Sequence, residues 1–107
     1  MIKINLHQYR TGTSKIFSGR DKGIGVRKEK KLDEIDKNSE QVVVSIPKDT
    51  WTINSSFFGG LFEKSVIDLG REKFLEKYTF VFDDGSALSS ELRQNIDEGI
   101  HDALNEI

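Results

Sequence analysis

Asn54-Ser55-Ser56 stands directly ahead of an apolar run that opens Phe57-Phe58-Gly59-Gly60-Leu61. A serine in the first turn of a helix lies beside unsatisfied backbone N–H groups and the positive end of the helix dipole. A hydroxyl there, or its phosphate ester, is favoured by both. Asn and Ser are also the commonest N-caps, and capping alone accounts for their position. Gly59-Gly60 ask for more, because two glycines in the first turns of a helix cost on the order of 1–2 kcal/mol relative to alanine. That cost points to a close backbone approach, by the sheet or by a partner. Trp51, just before the serine loop, is either an exposed anchor for a partner or a core tryptophan.

Other residues with chemical potential are sparser. Ser18-Gly19-Arg20-Asp21-Lys22-Gly23-Ile24-Gly25 is glycine-rich and basic ahead of a helix, a composition suited to phosphate or to a flexible connection. It lacks the Gly-Lys-Ser/Thr ending of a P-loop. Arg20, Arg27, Lys28, Lys30 and Lys31 form a candidate basic edge. His7 and His101 are the only histidines, and neither has the spacing of a Ser-His-Asp site, so both read as surface residues. No His or carboxylate set has metal-ligand spacing, and no metal or cofactor is expected. Cysteine is absent, which removes disulfides, thiolate ligands and thiol nucleophiles.

The elements that must position these residues follow from hydrophobic period. Ile2, Ile4 and Leu6 alternate as in a half-buried strand. Thr11-Gly12-Thr13 then suggests a turn into Ile16-Phe17, a short strand paired to the first as a hairpin. Asp21 to Lys37 is rich in helix formers, with Ile24, Leu32 and Ile35 near one face and Asn38-Ser39 at the exit. So thin an apolar face predicts a helix on the outside. Val42-Val43-Val44-Ser45-Ile46, closed by Pro47, has the β-branched run of a central strand. Ser56 to Leu69 carries Phe58, Leu61, Phe62, Ser65, Val66 and Leu69 at helical spacing, with Gly70 placed as a left-handed C-cap. Arg71 to Lys77 adds a helical turn bearing Phe74. Tyr78 to Phe82 is a strand ended by the turn Asp83-Asp84-Gly85. Ser89 or Ser90 caps a last helix with Leu92, Ile96, Ile100, Ala103, Leu104 and Ile107 on one face. Strands alternating with helices predict an α/β domain with a largely parallel sheet.

The 107 residues suit one domain, 1–107, with no linker, repeat or low-complexity tract. The start lacks the apolar core of a signal peptide or membrane span, so the expected setting is cytoplasmic and away from membranes. A formal net charge of −2 supplies no whole-molecule attraction to nucleic acid, although a local basic patch remains open.

Val42-Val43-Val44-Ser45-Ile46 followed by Ile53-Asn54-Ser55-Ser56-Phe57-Phe58-Gly59-Gly60-Leu61 resembles the strand-loop-helix signature of STAS domains, the fold of anti-sigma-factor antagonists. The closer similarity is to small bacterial and phage-borne STAS-like domains. Phe17-Ser18-Gly19-Arg20-Asp21-Lys22-Gly23 and Gly70-Arg71-Glu72-Lys73-Phe74 resemble their upstream and downstream motifs. This resemblance implies about four strands in a mixed sheet, about three helices packed on it, and a regulatory rather than enzymatic role. In the antagonists the second serine of the loop is phosphorylated by a kinase-type ATPase partner, and Ser56 matches it. Two positions differ: Asn54 replaces an Asp that helps organise the loop, and the bulky Phe57 replaces a glycine.

Three functions are thus expected in order. The first is a regulatory module that docks a protein partner, a histidine-kinase-like ATPase by resemblance, through Trp51, Asn54, Ser55, Ser56, Phe57, Phe58, Gly59 and Gly60. The second is a nucleic-acid-associated or phage-defence accessory protein using the edge around Arg20, Arg27, Lys28 and Lys31. The third, an enzyme with Ser56 as nucleophile, lacks a visible general base.

Overall fold

A computed structural model describes residues 1–105; the expectation for Ile107 lies outside the described residues. Val42–Ile46 (β3) is the middle of a three-stranded parallel sheet, flanked by Ile2–Asn5 (β1) and Tyr78–Phe82 (β5). Register places Ile2, Val42 and Tyr78 side by side, then Ile4, Val44 and Phe80. Because side chains alternate faces, these rows and Ile46 with Phe82 make one apolar face. The opposite face carries Lys3, Asn5, Val43, Ser45, Thr79 and Val81, half-buried or exposed.

Ile16–Phe17 (β2) does not form a hairpin with β1. A 3-10 helix, Leu6–Tyr9, and a loop separate them, and β2 pairs in parallel with Thr52–Ile53 (β4). The reason is loop length, since hairpins close over two to five residues, whereas here the chain is held elsewhere. Arg10 donates to Ser14 O (2.7 Å), Thr13 O (3.2 Å) and Asp49 Oδ2 (2.8 Å), tying this loop to the segment that leads into β4. The four-stranded mixed sheet is therefore replaced by two parallel sheets of three and two strands. Among the described residues, the antiparallel pairing is confined to an isolated bridge, Val81 to Ala87.

The helices number five among the described residues rather than three: Arg20–Glu29 (α1), Leu32–Ile35 (α2), Ser55–Leu69 (α3), Arg71–Lys77 (α4) and Ser90–Asn105 (α5). One expected helix over 21–37 is broken at Lys31, whose φ of 56° and ψ of 49° are left-handed. Nor does α1 ride loosely outside. Ile24, expected on its apolar face, is 44 % exposed, whereas Gly23 and Val26 are buried and Gly23 lies against α3. A Cβ on Gly23 would stand 2.3 Å from Phe57 O. Hydrophobic period undercounts such a contact because the glycine contributes no side chain.

The core lies between the apolar sheet face and α3. Phe58, Phe62, Phe74, Tyr78 and Phe80 form a ring cluster with centroids 4.9–6.5 Å apart. Gly99 lets α5 close on it, since a Cβ there would meet the Phe58 ring at 2.4 Å. The α3 helix ends where expected, at Gly70 with φ 83°, although its ψ of 161° differs from that of a left-handed helical cap. Among the described residues no helix is long and apolar enough to cross a membrane.

Candidate functional site

The short β4 delivers Asn54 to the start of α3, and the cap geometry is complete. Asn54 sits at φ −69° and ψ 145°, and its Oδ1 accepts from Ser56 N–H (2.8 Å) and from Ser56 Oγ (2.6 Å). Its C=O accepts from Phe58 N–H at 3.0 Å, the first bond of the helix. The amide oxygen thus does what a carboxylate oxygen would do here, without the charge.

Ser55 and Ser56 line a polar cleft of about 270 Å³ between the first turns of α3 and the last turns of α5. Arg20 and Glu63 border it on one side, Asp102 and Asn105 on the other. Arg20 Nη1 lies 3.3 Å from Glu63 Oε2. Four of the residues singled out from sequence, Arg20, Ser55, Ser56 and Gly59, therefore meet at one surface. Trp51 is exposed by 62 %, with Lys15 Nζ 4.9 Å from its ring centroid, which settles its two readings in favour of the surface.

Other members of that group are interior. Phe57 and Phe58 are 1 % exposed and pack on Phe17 and the ring cluster, so their side chains are core. Gly60 is buried against α1: an added Cβ would be 2.1 Å from Arg20 O and 3.0 Å from Ile24 N. The close approach signalled by the glycine pair is that of a helix, not of the sheet. Gly59 differs from its neighbour, because a Cβ there meets the end of the Arg20 side chain at 2.8 Å.

The basic edge is also divided. Lys28 and Lys31 are exposed, and Arg20 is paired with Glu63. Arg27 turns inward, its side chain 11 % exposed, to donate to Leu61 O (2.9 Å), Ser65 Oγ (2.8 Å) and Asp36 Oδ2 (3.1 Å). It also pairs with Asp33 at 2.7 Å. Asp36 in turn accepts from Ser65 Oγ and from Tyr78 OH, the latter at 2.5 Å. Burial first, and then the bond to Asp36, push the Tyr78 phenol well above its usual range. This four-residue network fastens α1 and α2 to α3 and β5. One signal for it stood in the sequence, since Ser65 falls on the apolar stripe of α3, where a hydroxyl needs a partner.

His7 is exposed, and His101 Nε2 lies 3.0 Å from Asn105 Nδ2 one turn along the helix. Neither lines the cleft. Lys77 is buried without a carboxylate; its ammonium donates to Asn38 O (2.7 Å), Asn38 Oδ1 (3.2 Å) and Glu40 O (2.8 Å). It closes the loop before β3. Comparison of the chain with protein-family models, with curated proteins and with solved structures finds no significant match.

Proposed function

We propose that this chain is a regulatory protein–protein interaction module whose partner docks on the surface formed by Trp51, Asn54, Ser55, Ser56 and Gly59, with Arg20 at its margin. The observation that carries the reading is Trp51, largely exposed just ahead of β4, the strand that leads into Asn54 and the head of α3. An indole contributes a large, rigid contact area at low entropic cost, which is why tryptophan is enriched at binding hot spots. Phe57 and Phe58 serve this surface indirectly, by anchoring the first turn of α3 in the core.

Ser56 is the candidate regulatory position, and a kinase-type ATPase is the partner suggested by resemblance to the anti-sigma-factor antagonists. Phosphorylation would place up to two negative charges near Arg20 and the helix N-terminus, which attract them, and near Glu63 and Asp102, which repel them. It would also end the 2.6 Å donation from Ser56 Oγ to Asn54. Cap and cleft would change together, and with them the docking surface.

The test is affinity capture from source cells with wild-type, Trp51→Ala, Ser56→Ala and Ser56→Asp baits, followed by phosphosite mass spectrometry. A partner held by wild type and released by Trp51→Ala and Ser56→Asp supports the reading. Equal capture by all four baits, with Ser56 unmodified, removes it.

A further inference from the structure

The basic edge expected from sequence changes character once folded. Arg27 turns inward to Leu61 O, Ser65 and Asp36, and Arg20 reaches Glu63, so the two guanidiniums best suited to phosphate are already engaged. What stays on the surface is Ile24 and Lys28, one turn apart on α1, and Lys31 at the left-handed break that follows. With Lys64 of α3 they line a shallow groove of about 470 Å³, whose remaining wall includes Asp33 and Glu34 of α2. The groove shares no residue with the cleft that Ser56 lines.

A single exposed apolar side chain is ordinary on a protein surface. Ile24 differs in lying within a hollow beside three lysines, whose methylene stems extend its apolar floor while their ammoniums stay in water. Charge then limits what can sit there. Asp33 is held by Arg27 at 2.7 Å and by Lys64 at 3.3 Å. Among the described residues no ion pair engages Lys28, Lys31 or Glu34, which leaves two free ammoniums against one free carboxylate. Cations near the end of α1 also complement its dipole, which accounts for their charge but not for the isoleucine among them. An apolar floor with a surplus of ammoniums matches an anionic occupant that brings an apolar side chain of its own.

We propose that this groove docks an acidic segment of a partner protein, one that sets a large apolar side chain on Ile24 and flanks it with carboxylates for Lys28 and Lys31. A phosphate backbone fits the groove less well, because it offers nothing apolar to Ile24 and is repelled by Asp33 and Glu34.

The test is a library of nonapeptides with Leu, Phe or Trp at the centre and Asp or Glu on both sides, read by fluorescence anisotropy on the full chain. The best sequences are then remade with Asn and Gln for the acids, or with Ser at the centre. Either change should weaken binding at least roughly fivefold. Ile24→Ser, and separately the pair Lys28→Gln with Lys31→Gln, should do the same; these side chains are exposed, so both proteins should keep the wild-type circular dichroism. In 15N spectra the amides of Ile24, Lys28, Lys31 and Lys64 should be among the most shifted. Absence of binding across the library, indifference to the acid-to-amide change or to Ile24→Ser, or a short single-stranded oligonucleotide binding this groove as tightly as the best peptide would each overturn the proposal. None of these results bears on Trp51 or Ser56, so this surface and the α3 cleft fail or stand separately.

Discussion

Replacing Gly60 by alanine isolates the contact on which the placement of the candidate site depends. The new Cβ would stand 2.1 Å from Arg20 O and 3.0 Å from Ile24 N, both main-chain atoms of α1, so no rotamer change relieves it. Helix α1 must move by more than an ångström, and overpacking of this kind costs about 1–3 kcal/mol or more. Against that, alanine is favoured over glycine inside a helix by about 1 kcal/mol. The backbone clash should win, for a net loss of about 1–2 kcal/mol, or a fall in Tm of roughly 4–15 °C for a domain of this size. Urea unfolding should show a lower midpoint with an unchanged m value. Gly59→Ala is the internal comparison: its Cβ meets only the end of the Arg20 side chain at 2.8 Å, which can swing away. That variant should match wild type or exceed it by up to about 1 kcal/mol, the propensity gain alone. A Gly60→Ala protein as stable as Gly59→Ala would refute the reasoning, because it would mean that α1 and α3 do not meet backbone to backbone here.

Asn54→Ala should lose about 1 kcal/mol by removing the cap, whereas Asn54→Asp should keep the acceptor and add a favourable charge at the helix N-terminus; thermal unfolding of both variants checks this. Ser65→Ala strips a buried hydroxyl from between Arg27 and Asp36, so a loss of about 1–3 kcal/mol is expected in urea unfolding. The hydrogen bond from the Ser86 hydroxyl, then that from its backbone, and then Lys48 hold the Asp84 carboxyl down at about 2. Since its folded value lies below the unfolded one, any stability it lends is present above the ordinary carboxylate range and is lost as pH falls toward 2. Carboxyl NMR titration should give a midpoint near 2 that rises toward the ordinary range in Ser86→Ala.

Elements whose side chains declare their environment were legible in the sequence. The Val42 to Ile46 run occupies the middle strand, the stripe from Phe58 to Val66 faces the core, and Ser89 Oγ accepts from Leu92 N–H at 3.2 Å at the head of the last helix. What escaped was set by backbone contacts and by loops. Ile24 looked like a core residue because helical period assumes that the buried face is the apolar one. On α1 the buried face is instead centred on Gly23, where closeness of approach replaces hydrophobic area. Ile16-Phe17 looked like half of a hairpin because a local turn was visible, while the competing tie from Arg10 to Asp49 spans 39 residues and leaves no local trace. Arg27 looked like one of a row of surface charges; its buried partners Asp36, Ser65 and Leu61 O come from two other helical regions. At the candidate site the same division holds. Asn54, Ser55 and Ser56 could be placed from local cap chemistry, but which of the following four residues face outward depends on α1, which approaches from outside the motif.

That dependence ties the surface of the site to its foundation. Arg20 has its carbonyl oxygen against Gly60, while its guanidinium passes beside Gly59 to reach Glu63 at the rim of the cleft that Ser56 lines. One residue therefore belongs both to the helix crossing and to the charge balance of the cleft. A shift of α1 that relieves a side chain at position 60 must carry the guanidinium away from its present place, so stability and cleft electrostatics change together. A side chain at position 59 displaces the guanidinium while leaving the crossing intact. If the charge next to Ser56 governs docking, Gly59→Ala should alter partner capture in a protein that is as stable as wild type. That combination separates a binding role for Arg20 from its part in holding the two helices together.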